Sequence, residues 1–134
     1  MRVYPALRYH DAPAAIEWLE RALGCETTER IDNPDGTIAH AELRLGESLI
    51  MLGSGPADLQ DPPAEPRSAR ATIYVAVEEV DALHARAKRA GADVSERYEQ
   101  DYGSRDFSAR DPEGNHWSFG TYFPQAAAAS PDSA

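Results

Sequence analysis

Two stretches of this chain run through the same order of local signals, and that repetition limits the available folds more than any single residue does. Residues 3–52 read as a short apolar strand, an amphipathic helix stopped by Gly24, and three further strand-like runs; residues 71–122 repeat the order, with the helix stopped at Gly91. A β-α-β-β-β unit can bury one face of its four-stranded sheet under its helix and leave the other face open toward a sister unit. The expected class is therefore α+β, two βαβββ modules forming a curved mixed sheet around a cleft. The modules are placed at residues 1–53 and 71–122, with a Pro-rich connector at 54–70 and a disordered tail at 123–134, all within one domain.

The local signals set each element. Val3, Pro5, Leu7 and Tyr9 alternate with Tyr4, Ala6 and Arg8 at the strand period, over Val3 to Tyr9. Asp11 is placed to cap a helix that has Pro13 in its first turn and Ile16, Leu19 and Leu23 on one stripe. Asn33-Pro34-Asp35-Gly36 turns a strand at Glu26–Ile31 into one at Thr37–Leu45, and Gly46-Glu47 returns the chain as Ser48–Leu52. Alternation then puts Ala39, Ala41, Leu43, Leu45, Ile50 and Leu52 on one face, and Ile38, His40, Glu42, Leu49 and Met51 on the other. In the second half, strands are expected at Ala71–Val77, Ala92–Tyr98, Ser104–Arg110 and Asn115–Tyr122, around a helix striped by Val80, Leu83, Ala87 and Ala90. Trp18, Trp117 and Phe119 belong to the core on this reading. Asp111-Pro112-Glu113-Gly114 is a turn with solvated carboxylates, and His10 and His84 are solvated too.

Charge narrows the partners. A formal net charge of −10 repels phosphate backbones and anionic bilayers, so neither nucleic acid nor membrane is an expected partner. No run approaches a membrane span, and Met1 to Ala6 lacks the apolar centre of a signal peptide. The single cysteine, Cys25, cannot form an internal disulfide, which fits a reducing compartment; the expected location is cytoplasmic.

Two phrases carry a family resemblance. One is His40-Ala41-Glu42-Leu43-Arg44-Leu45-Gly46 running into Ser48-Leu49-Ile50-Met51-Leu52; the other is Tyr102-Gly103-Ser104-Arg105 running into Arg110-Asp111-Pro112-Glu113-Gly114-Asn115. With the paired modules, they resemble the vicinal oxygen chelate superfamily, which joins glyoxalase I, extradiol dioxygenases and bleomycin resistance proteins. The resemblance implies a metal site built from the first and fourth strands of each module, and the matching positions here are Tyr4, Met51, Tyr74 and Ser118. A thioether, two phenols and a hydroxyl are poor ligands for the hard cations such sites hold. No metal and no cofactor are expected, which points to the metal-free, bleomycin-resistance-like branch.

Tyr4, Ile38, His40, Glu42, Leu49, Met51, Tyr74, Arg105, Ser118 and Tyr122 are the expected ligand-binding residues, an aromatic cleft with a few polar tips. The function this favours is sequestration of a small, planar or cationic molecule by a homodimer. The alternative is a divalent-metal lyase, isomerase or dioxygenase that recruits its ion through His40, Glu42 and His116.

Overall fold

Both modules form in the computed structural model, which describes residues 2–55 and 72–125. The first comprises β1 (Ala6–Tyr9), α1 (Ala12–Leu23), β2 (Glu26–Asp32), β3 (Ile38–Leu45) and β4 (Ser48–Ser54), in the sheet order β1-β4-β3-β2. The second comprises β5 (Thr72–Ala76), α2 (Val80–Arg89), β6 (Asp93–Val94), β7 (Tyr98–Glu99), β8 (Arg105–Arg110) and β9 (His116–Gly120). Its order is β5-β9-β8, with β6 and β7 both paired to β8. In each sheet the first strand runs parallel to the last, and the other pairs are antiparallel. Most of the connector and tail assigned from sequence, residues 56–71 and 126–134, lies outside the described residues. No helix among the described residues is long and apolar enough to cross a membrane.

The helix signals act as their chemistry requires. Asp11 accepts the Ala14 N–H at 3.1 Å, and Gly24 closes α1 at φ 75°, a left-handed conformation that a side chain would strain. The stripe between them buries Ile16, Trp18, Leu19 and Leu23. The expected strand at Ala92–Tyr98 is instead two short pieces. Ser95 explains the break, because its Oγ takes the Ser108 N–H at 2.9 Å and so substitutes for a ladder partner. The first strand is also shorter than alternation suggested, since Val3 stands almost wholly in solvent.

The helices set the mutual placement of the modules, which the sequence leaves open. α1 packs against α2, Trp18 lies 6.0 Å from Trp117, and one apolar cluster gathers Leu19, Leu43 and Ile50 with Val80, Phe107 and Phe119. The helix-covered sides therefore merge into one core, and the open faces do not face each other. Among the described residues, no strand of one sheet pairs with a strand of the other.

The junction also overturns the reading of the turn after β8. Asp111 and Glu113 are buried, at 5% and 7% exposure. Asp111 accepts the Tyr9 hydroxyl at 2.6 Å, the Trp117 indole N–H at 3.2 Å, and the backbone N–H groups of Glu113 and Asn115. Glu113 takes the His10 and Asp11 N–H groups at 2.7 and 2.8 Å, two donors left over at the entrance to α1. Burial first, then the Asp111 charge, pushes the Tyr9 phenol far above its ordinary value. His84, also expected in solvent, is buried; its Nε2 lies 2.9 Å from the Ser95 carbonyl oxygen and its ring stands edge-on to Phe107.

Two predictions test this joint. Tyr9→Phe removes one donor and should cost about 1 kcal/mol, whereas Asp111→Ala strands several buried donors and should cost about 3 kcal/mol or more in urea unfolding. Equal small effects would show that the joint does not hold the modules. The second concerns alkaline pH. Burial, reinforced by Glu20, pushes the Cys25 thiol up to about 12. Cys25 and Tyr9 thus stay protonated when folded but ionise when unfolded above their ordinary values of about 8.5 and 10. Stability should be intact below about pH 8 and fall progressively above it. Cys25→Ala should flatten the first part of that decline, read as melting temperature against pH.

Candidate ligand-binding cleft

The open face of the first sheet is assembled by strand register. Ala6 and Glu42 flank Met51, and Arg8 lies opposite Gly53. An added Cβ at Gly53 would sit 2.7 Å from Arg8 Nη1, so the glycine makes room for the guanidinium to lie across the strand. His40 Nε2 is 2.7 Å from Glu42 Oε2, and both side chains remain over a third exposed. Leu49 and Met51 are half-buried beside them. Ile38 is not on this face. It is 1% exposed, in the core, because the β2–β3 register shifts between Ile31 and Asp32 and turns the start of β3 over.

The open face of the second sheet is more polar beneath and more aromatic above. Tyr74 and Ser108 flank Ser118, and Thr72 and Arg110 flank His116, whose Nδ1 lies 2.9 Å from Thr72 Oγ1. Asp106 lies opposite Gly120. A Cβ at Gly120 would clash with Asp106 Oδ1 and meet Tyr74 Oη at 2.8 Å, so the carboxyl and phenol share the space a side chain would fill. Partial burial, together with the Asp106 charge, raises the Tyr74 phenol above its ordinary value. Tyr74 donates to the Tyr122 carbonyl at 2.6 Å, and the Tyr122 ring meets Tyr102 edge to face at 5.6 Å.

Arg105 does not join the cleft. It is held by Asp81 at the start of α2 and by Glu99, at 2.8 and 2.7 Å, and sits on the strand parity of Phe107. Tyr4 lies ahead of β1 rather than within it, and lines a groove of about 1380 Å³ between the β3–β4 turn and β5, together with Leu49 and Tyr74.

The four positions implied for a metal can now be tested by register. Tyr74 pairs with Ser118 and Ala6 with Met51, so Ala6, not Tyr4, is the first-module counterpart of Tyr74. Ala6 offers no donor atom, Met51 a soft thioether, and the Tyr74 hydroxyl proton is engaged with Tyr122. These residues do not fit a hard divalent cation. His40 and Glu42 are adjacent, but His116 belongs to the other sheet. Among the described residues, no group of three His, Cys, Asp or Glu side chains is placed to hold a metal ion.

The family model described as the Glyoxalase/Bleomycin resistance protein/Dioxygenase superfamily matches residues 3–119. The chain belongs to that superfamily. An uncharacterised protein of Mycobacterium bovis is 34% identical over 129 residues, covering 90% of this chain and 85% of the relative. Among solved structures, TioX from Micromonospora sp. ML1 is 27% identical, with a TM-score of 0.69 over 95% of this chain and 100% of its own. The fosfomycin resistance protein FosX of Listeria monocytogenes, solved with Mn(II) and sulfate, shares 14% identity and a TM-score of 0.66, over 92% of this chain and 93% of its own. That likeness is one of fold.

Sequence reasoning missed Arg8, Asp106 and Gly120. A signal existed for the last two, since alternation through Ser108 and Ser118 puts Asp106 and Gly120 on the same face.

The two sheets respond differently to substitution. Gly120→Ala forces the Asp106 and Tyr74 groups apart and should destabilise by about 1–3 kcal/mol in chemical unfolding. His40→Ala removes a half-exposed pair and should cost no more than about 1 kcal/mol. The reverse ranking would mean that the His40–Glu42 pair, rather than the Asp106 corner, is the built feature.

Proposed function

We propose that the chain binds a small, planar, partly cationic organic molecule without a catalytic metal, and acts by sequestering it. The observation that carries this reading is the donor-poor set Ala6, Met51, Tyr74 and Ser118 at the register positions of the implied metal site, beside exposed aromatic surface at Tyr74 and Tyr122. Net charge of −10 favours a cation in the same cleft. A cytoplasmic protein of this kind would act on molecules that have already entered the cell.

A homodimer completes the site. Among the described residues the merged core leaves each open face uncovered, and β1 and β5 are edge strands. A second copy, placing its second sheet over the first sheet of its partner, covers both faces and both edges at once. The Met51 row of one protomer then lies over the Tyr74 row of the other, with Leu49 and the His40–Glu42 pair at the margin.

A metal-dependent lyase, isomerase or dioxygenase is the competing reading, favoured only by the 2.7 Å His40–Glu42 pair. Elemental analysis of the purified protein, with melting curves in Mn²⁺, Ni²⁺, Zn²⁺ and Fe²⁺, separates the two. No stoichiometric metal and no stabilisation are expected, because an ion that binds only the folded state would raise the melting temperature. A stoichiometric ion lost on His40→Ala would transfer the assignment to the metal enzyme. Light scattering should give twice the chain mass of 14.6 kDa.

A further inference from the structure

We propose that the corner where β5, β9, β8 and the β7–β8 turn meet is the subsite for the ligand's charged end, and that this end is an organic ammonium. The inference rests on the binding reading above and assigns one part of the ligand to one part of the cleft. Four of the chain's six tyrosines converge here, Tyr74, Tyr98, Tyr102 and Tyr122, all exposed between 37% and 64%. Exposed aromatic surface concentrated in one corner, rather than scattered, marks a contact site.

Beneath the rings lies Asp106, only 2% exposed, directly opposite Tyr98 on β7 and Gly120 on β9. Its donors are the Ser104 hydroxyl and the Gln100 amide, the latter at 3.2 Å, and both are neutral. Among the described residues, no Lys, Arg or His forms an ion pair with it. The nearby Arg105 is committed to Asp81 and Glu99 on the helix side. A carboxylate sheltered from water and lacking a cationic partner projects its field into the corner, where aromatic faces also attract positive charge.

The frame is fixed in advance. Gly103, at φ 92°, closes the turn that presents Tyr102, with its N–H bonded to the Gln100 carbonyl at 2.9 Å. Ser104 Oγ accepts the Tyr122 N–H at 3.1 Å, and Gly120 lacks the Cβ that would push Asp106 and Tyr74 apart. Such a pre-set cradle suits a compact alkylated ammonium better than a guanidinium, because no free acceptor pair stands ready for a planar fork.

The test uses the full chain and three probes: choline, its neutral carbon isostere 3,3-dimethylbutan-1-ol, and the uncharged planar 2-naphthol, each followed by NMR titration of the aromatic resonances. Choline should bind at least tenfold more tightly than the isostere, and Tyr102→Ala should weaken choline about fivefold without affecting 2-naphthol. Asp106→Asn should remove most of the difference between choline and isostere. Tyr102 is exposed, so its variant keeps the proposal testable even where the Asp106 variant fails to fold. Equal binding of choline and isostere, or no choline binding, overturns the ammonium subsite. If 2-naphthol still binds in those cases, the aromatic-cleft reading stands; if it also fails to bind, that reading falls as well.

Discussion

The fold depends on a buried carboxylate. Asp111 reaches from the turn after β8 to the Tyr9 hydroxyl at the end of β1, 102 residues away, and also holds the Trp117 indole N–H. Without it, those donors would be buried unpaired, a penalty larger than the net value of the bonds themselves. Glu113 adds a second tie by accepting the amides that lead into α1. The two modules are thus joined by directional groups around an apolar core, which fixes their relative orientation more sharply than Trp18 packing on Trp117 could alone.

That orientation decides what the open faces can do. Had the modules met sheet to sheet, the cleft would be closed within one chain. Because the helix sides meet instead, His40 and Glu42 on one sheet and Tyr74 and Ser118 on the other stay accessible. Superfamily membership does not by itself supply a metal, and Ala6, Met51 and Tyr74 at those register positions are poor donors for a hard cation. A fold shared with many chemistries settles neither point.

The sequence made the repeat legible because its signals are local. Asp11 and Gly24 cap a helix through groups a few residues away, and alternation along β3 and β4 sorts Leu43 and Ile50 from Glu42 and Met51 by period alone. What alternation cannot report is which body lies against a given face. Asp111 and Glu113 look like solvated turn residues until the end of β1 is brought beside them, and Ile38 looks cleft-facing until the register shift at Ile31 is known. Tyr4 fails for a related reason: the strand begins at Ala6, and counting back six residues from the start of each helix pairs Ala6 with Tyr74. The Asp106 corner escaped notice because a carboxylate in a strand is ordinarily read as exposed, whereas Gly120 lets this one fold inward.

The repeat also exposes how the modules have diverged. Gly53 and Gly120 occupy the same place, two residues beyond Met51 and Ser118, and each removes a Cβ so that a charged group can lie across the strand. Over Gly53 that group is the Arg8 guanidinium; over Gly120 it is the Asp106 carboxyl, with the Tyr74 phenol. One architectural device therefore seats a guanidinium on the first sheet and a carboxyl on the second.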